Sequence, residues 1–200
     1  MPRAKPASSG AIKRALAARI LGSSSKLSGS QLSALLRICP PDGIAQVEKR
    51  AAPMLQRSGA APSRVARSLV ESYSGAGRPA DAVRFAREHS PAVPAEAYVE
   101  LLNACRDASD ATLAEAIQLA QQSGAQPSAG MYGAVIAARV ERGETERALR
   151  VCRAALGAGV PPPPAAVEEL VVALAGSGPG GHRRAGSGSS GSSASGGTGT

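Results

Sequence analysis

Residues 129–163 read AGMYGAVIAARVERGETERALRVCRAALGAGVPPP, and this stretch decides the fold. Its first half places Tyr132, Val135, Ile136 and Val140 at helical spacing, an apolar stripe on one face. Gly143 interrupts the stripe and permits a tight turn. Glu144 and Glu146 follow, where the dipole of a second helix favours anions at its start. Ala148, Leu149, Cys152 and Leu156 then resume helical spacing. Gly159 ends that helix, and the prolines from Pro161 to Pro164 bar its continuation. The stretch therefore predicts two helices joined by a short turn.

The same grammar recurs on both sides at a period of 31–35 residues. In 95–128, Tyr98, Leu101, Leu102 and Cys105 precede a polar turn at Ser109-Asp110, and Leu113, Ala116, Ile117 and Ala120 follow. In 64–94, Val65, Leu69, Val70 and Tyr73 precede Gly77, with Ala82, Val83 and Ala86 beyond it. In 29–63, Leu32, Leu35, Leu36 and Cys39 precede Pro40-Pro41-Asp42-Gly43, then Val47, Ala51 and Leu55. A partial unit, 164–178, carries Val167, Leu170, Val171 and Leu174 and stops at Gly176-Ser177-Gly178. One hairpin has too little core to stand alone, whereas stacked hairpins share their apolar faces. The expected architecture is all-α: an α-solenoid of helix-turn-helix repeats over 29–178, about four repeats plus a capping helix, with disordered termini. A single compact helical bundle is the competing arrangement, but it requires no recurring Gly and Pro punctuation.

Composition supports thin layers. The chain has one Phe, three Tyr and no Trp, so its core is built from Leu, Val, Ile and Ala. The formal charge of +8 is terminal. Residues 1–28 hold Arg3, Lys5, Lys13, Arg14, Arg19 and Lys26 and no acid, and Arg183 and Arg184 lie in the tail. Residues 29–178 hold fifteen basic and fifteen acidic residues. Phosphate binding depends on clustered cations, so the overall charge overstates the case for nucleic acid. Within 1–28, Ile12, Leu16 and Ile20 recur every four residues, with Lys13, Arg14 and Arg19 to the side. That pattern matches an organelle transit peptide, and equally a basic helix capping the first repeat or a nucleic-acid arm. Residues 179–200 are Gly/Ser-rich and too polar to offset chain entropy, which predicts disorder. Cys39, Cys105 and Cys152 lack metal-ligand or disulfide spacing and read as buried small apolar residues. No apolar run approaches the ~18–20 residues of a membrane span, so no membrane partner is expected.

Met131-Tyr132-Gly133, Gly143-Glu144-Thr145-Glu146-Arg147-Ala148-Leu149 and Gly159-Val160-Pro161-Pro162 together resemble the pentatricopeptide repeat. Ser72-Tyr73-Ser74-Gly75-Ala76-Gly77-Arg78 and Ser58-Gly59-Ala60-Ala61-Pro62 are similar to it too. The resemblance implies single-stranded RNA binding in a mitochondrion or plastid, each repeat reading one base. It places base contacts at the residue after the early tyrosine and at the last residue of the repeat. Here those are Ser33 with Ser63, Arg67 with Pro94, Val99 with Ser128, and Gly133 with Pro163. Ser33, Ser63 and Ser128 carry a hydroxyl able to hydrogen-bond a base. The base-clamping positions are Ser30, Arg64, Glu96 and Gly130, none branched and apolar. Arg37, Arg67, Arg106 and Arg139 are assigned to first helices, the face such arrays turn to RNA.

Two functions follow. One is an organelle RNA-binding protein acting in RNA processing, stability or translation, with low sequence specificity. Its candidate contacts are Ser33, Ser63, Arg67, Ser128, Arg37, Arg106 and Arg139. The other is a protein-interaction scaffold or assembly subunit of an organelle complex such as the ribosome, with protein partners held on the concave repeat surface. An enzyme is not expected: His89 and His182 are isolated, and no nucleophile, metal or phosphate-loop arrangement is present. No cofactor or metal is expected.

Overall fold

The computed structural model describes residues 27–57, 59–124 and 126–176, and besides these Ala15, Arg19 and Gly22. The expected targeting or capping segment and the expected disordered tail lie outside the described residues, those three positions apart. Among the described residues the fold is all-α, with no strand. The helices are α1 (Gly29–Ile38), α2 (Ile44–Leu55), α3 (Ala60–Gly75), α4 (Pro79–Glu88), α5 (Ala95–Ala104), α6 (Asp110–Gln122), α7 (Ala129–Glu141), α8 (Thr145–Gly157) and α9 (Pro164–Gly176). Short 3₁₀ turns at Pro41–Gly43 and Ser90–Ala92 fill two of the connections.

Local chemistry sets these boundaries. Ser28 opens α1 with a capping box: its hydroxyl accepts from the Gln31 N–H, and the Gln31 amide oxygen accepts from the Ser28 N–H. Ser109 and Ser128 cap α6 and α7 through their hydroxyls. The helices α3 and α7 end alike. Arg78 N–H reaches back to the Tyr73 carbonyl and Glu144 N–H to the Arg139 carbonyl, across Gly77 and Gly143. Both glycines have positive φ, 67° and 69°, a left-handed turn that a side chain would strain.

The helices pair as hairpins: α1 with α2, α3 with α4, α5 with α6, α7 with α8. Each first helix also packs on the first helix of the next hairpin, in the order α1, α3, α5, α7, α9. The second helices α4 and α6 touch each other as well. The apolar core runs without a break from Leu32 through Tyr73, Phe85 and Tyr98 to Ala138. A smaller cluster joins Ile136, Ala148, Cys152, Ala166 and Leu170 at the far end. Cys105 and Cys152 are buried and Cys39 is half-buried; desolvation pushes the Cys105 thiol up to about 11.

Two details differ from the sequence expectation. The boundary at 63/64 falls inside α3, which begins at Ala60 and takes Pro62 into its first turn. A proline there forfeits only an N–H that has no helical partner, so it extends the helix rather than ending the preceding unit. The expected face of α7 is also too narrow. Of Tyr132, Val135, Ile136 and Val140 only Ile136 is fully buried, while Met131, Gly133, Ala134, Ala137 and Ala138 are buried as well. Packing against α5, α8 and α9 at once covers most of the circumference of α7, and small residues let the neighbours close in.

Between the first two hairpins lies a polar joint. Glu48 of α2 is 9% exposed, and both its oxygens accept from Arg84 of α4 at 2.9 Å. The Tyr73 hydroxyl of α3 donates to the same carboxylate. Burial pushes the Glu48 carboxyl up, but the hydrogen bonds from Arg84 and Tyr73 together with the Arg84 charge outweigh it and hold the group below the ordinary value of 4.5. Burial first, and then the bond to Glu48, pushes the Tyr73 phenol well above its ordinary range. Arg78 and Arg142 make a second kind of joint, at the hairpin turns. Arg78 donates to the Pro41 carbonyl at 3.2 Å. Arg142 donates to the Cys105 carbonyl at 3.2 Å and the Ala108 carbonyl at 2.5 Å.

A depressed carboxylate stabilises the fold fully above its unfolded value and ceases to do so as pH falls through its folded value. Glu48→Gln should therefore cost roughly 2 kcal/mol around neutral pH, below the range for a fully buried pair because Arg84 is partly exposed. Urea titrations should show that difference closing as pH falls below 4.5. An unchanged midpoint around neutral pH would refute the joint.

Candidate functional site

The surface to test is the one presented by the first helices, where the sequence placed every RNA contact. Ser33 is buried at 9% exposure, and its hydroxyl has no hydrogen-bond partner. Ser63 is half-buried within α3 and does not end a unit. Ser128 is exposed, but its hydroxyl accepts from the Met131 N–H at 3.2 Å and so caps α7. The three serines thus serve packing and capping.

The arginines fare similarly. Arg67 is bound to Glu71 at 2.7 Å, one turn along α3, and feels the charges of Glu96 and Glu100 on α5. Arg106 lies beyond the end of α5, in the turn, rather than on a first helix. From there it holds Glu141 at 2.5 Å and Glu169 at 3.7 Å, linking α5, α7 and α9. Arg139 is paired with Glu144 at 2.5 Å, both largely buried. Arg37 is exposed in the last turn of α1, where a cation suits the helix dipole.

Two of the expected base-reading positions are filled by the protein itself. A Cβ on Gly133 would stand 2.8 Å from the Pro163 Cδ and 2.9 Å from its Cγ. The residue expected to read a base and its expected partner at the end of the same repeat are therefore packed on each other. Val99 closes against Gly130, whose Cβ would lie 3.4 Å from a Val99 methyl. Stacking partners are scarce too: Tyr73, Phe85 and Tyr98 are fully buried, leaving Tyr132 half-exposed.

Charge on this surface is graded along the chain. Exposed first-helix charges are Arg37, Arg64, Arg67 and Glu71 on α1 and α3. On α5, α7 and α9 they are Glu96, Glu100, Glu141, Glu168 and Glu169, all acidic. The second helices differ: α8 exposes Arg147, Arg150 and Arg153 at three-residue steps. Sequence patterning could not show this segregation, because the whole of 29–178 is formally neutral.

A shallow apolar groove of about 100 Å³ separates the third hairpin from the fourth. Leu102, Ile117, Met131, Tyr132 and Val135 line it, with Gln121 at its polar side. It is about large enough for one aliphatic side chain. Among the described residues Glu48, Glu88 and His89 bring ligand atoms close together. Arg84 already bonds both glutamates, so their charge is met by the guanidinium.

Gly133→Ser supplies the hydroxyl that a base-reading position would need. The contact with Pro163 predicts destabilisation of about 1–3 kcal/mol, from overpacking. Thermal unfolding of the variant measures it, and a stability equal to wild type would show the position to be open. Compared with known proteins, the chain matches no family model and no curated protein sequence.

Proposed function

We propose that the chain is an α-solenoid of pentatricopeptide-like hairpins acting as a protein-interaction scaffold rather than as a base-by-base reader of RNA. The observation that carries this reading is the first-helix surface. Of its base-reading positions Ser33 is buried, Gly133 is packed on Pro163, Arg67 is paired with Glu71 and Ser128 caps α7, and from α5 onward its exposed charges are all acidic. A phosphate backbone gains affinity by exchanging counterions for clustered cations, and that surface offers the opposite sign. The succession of first helices supports the solenoid, since each touches its neighbours in sequence order. The groove beside Tyr132 supplies what a protein partner uses: an apolar pocket for one anchoring side chain, with polar groups at its edge. The acidic residues exposed on α5, α7 and α9 favour a partner with basic flanks. An assembly role in a mitochondrion or plastid fits the basic, acid-free N-terminal segment.

A second reading, RNA binding with little sequence selectivity, is favoured by Arg147, Arg150 and Arg153 on α8. This face is on the second-helix side, opposite in sign to the exposed charges of α5, α7 and α9.

Titration of the full chain with mixed-sequence single-stranded RNA at low and physiological salt separates the two. Any binding should disappear when the six cations of residues 1–28 are exchanged for glutamine. Binding that persists in that variant and weakens with Arg150→Gln and Arg153→Gln would establish the second reading. For the scaffold, Tyr132→Asp should abolish RNase-resistant copurification of partners while leaving the fold intact by circular dichroism.

A further inference from the structure

The large hydrophobic residues exposed among the described residues are Leu156, Val171 and Val172, all on the last two helices. Register shows what is unusual about α9. Leu36, Val70, Leu102 and Ile136 hold one position in the four preceding first helices, and none is more than 5% exposed. Ile136 is covered by Ala148 and Cys152 of its own second helix. Val171 holds that position in α9 and is 57% exposed. Val172 is 72% exposed, at a position that Arg37, Glu71 and Asn103 hold on the solvent side of α1, α3 and α5 and that Ala137, 5% exposed, holds on α7. Val171 is thus a core position without its cover, and Val172 is apolar where α1, α3 and α5 carry polar residues.

The missing cover is a second helix. Residues 177–200 contain no Leu, Ile, Val, Met, Phe or Tyr with which to build its apolar stripe. Residues 11–21, AIKRALAARIL, contain one. Ile12, Leu16 and Ile20 recur every four residues, as Val47, Ala51 and Leu55 do on α2. The stretch is as long as a second helix of this fold, and Ala15, Arg19 and Gly22 are helical and exposed. Charges match as well. The exposed ionisable residues of α9, Glu168 and Glu169, are acidic, and the helix has no basic residue. Lys13, Arg14 and Arg19 flank the stripe of 11–21, which has no acid.

We propose that the Val171–Val172 face of α9 receives residues 11–21 of a second copy of this chain, retained on that copy, as the second helix of the fifth hairpin. The donor is another copy because of reach. Four first-helix steps of ~9 Å separate α1 from α9, roughly 36 Å. The six residues linking Gly22 to the start of the array at Gly29 span at most about 22 Å. This argument rests on the solenoid reading of the array. The contact is head-to-tail, so the N-terminal segment of one copy and the last helix of the next are each used once.

The test uses full-length chains. Sedimentation velocity should show concentration-dependent association of the wild type. Val171→Lys with Val172→Lys should weaken it about a hundredfold, since two buried valines are replaced by like charges. Leu16→Glu with Ile20→Glu should do the same. Mixing the two variants should restore a dimer and nothing larger, because one intact segment and one intact α9 remain. A wild type that stays monomeric overturns the proposal. So does association that survives the Leu16/Ile20 change, which would indicate contact between two α9 faces, and so does failure of the mixture to dimerise. Small-angle scattering of the monomeric Val171/Val172 variant checks the array separately. An elongated particle keeps the solenoid reading whatever the association result, and a compact sphere removes it.

Discussion

Each inner first helix, α3, α5 and α7, is covered on at least three sides, and that demand shapes the rest. A hairpin such as α7–α8 cannot bury Ile136 and Ala138 by itself; α5 and α9 must close on α7 from either flank. Neighbours can come that close only where side chains are small. Gly130 against Val99 and Gly133 against Pro163 are the points of contact. A chain nearly without aromatic residues is suited to this arrangement, because thin layers of Leu, Val and Ala fill the space between helices without a broad core.

The same closeness bears on function. Surface that packs helix to helix is not available to a ligand, and in the fourth hairpin the packing uses the positions that a repeat of this kind would turn toward a base. Ion pairs complete the effect. Arg106 spends its charge on Glu141 and Glu169, and Arg139 on Glu144, so these arginines tie helices together. What stays exposed on α5, α7 and α9 is acidic. The Glu48–Tyr73–Arg84 joint plays the corresponding part between the first two hairpins, with a carboxylate kept ionised by its partners in spite of burial.

Parts of this were legible from residue order alone. Helices, turns and their order follow from local causes: a left-handed Gly at the turns of the second and fourth hairpins, a serine hydroxyl at a helix start, apolar spacing near four. Even so, a unit boundary at 63/64 puts Pro62 at the end of a unit, whereas a proline is equally suited to the first turn of a helix, where it stands in α3. Whether Ser33 faces water depends on what packs over α1, and no local pattern reports that. Glu48 gave no signal either, since a glutamate in an amphipathic helix is normally solvated and its partners lie 25 and 36 residues away.

Residues 129–163 by themselves determined that the chain forms helical hairpins, because the spacing of Ile136, Gly143, Cys152 and Gly159 acts within a few turns of backbone. Only the tertiary structure decided which sides of those hairpins remain free. Burial of Gly133 needs Pro163 folded back on it, neutralisation of Arg106 needs α7 and α9 beside it, and exposure of Val171 depends on which of the described helices reach α9. Those are relations between residues distant in sequence, set by close packing and short-range charge rather than by local propensity.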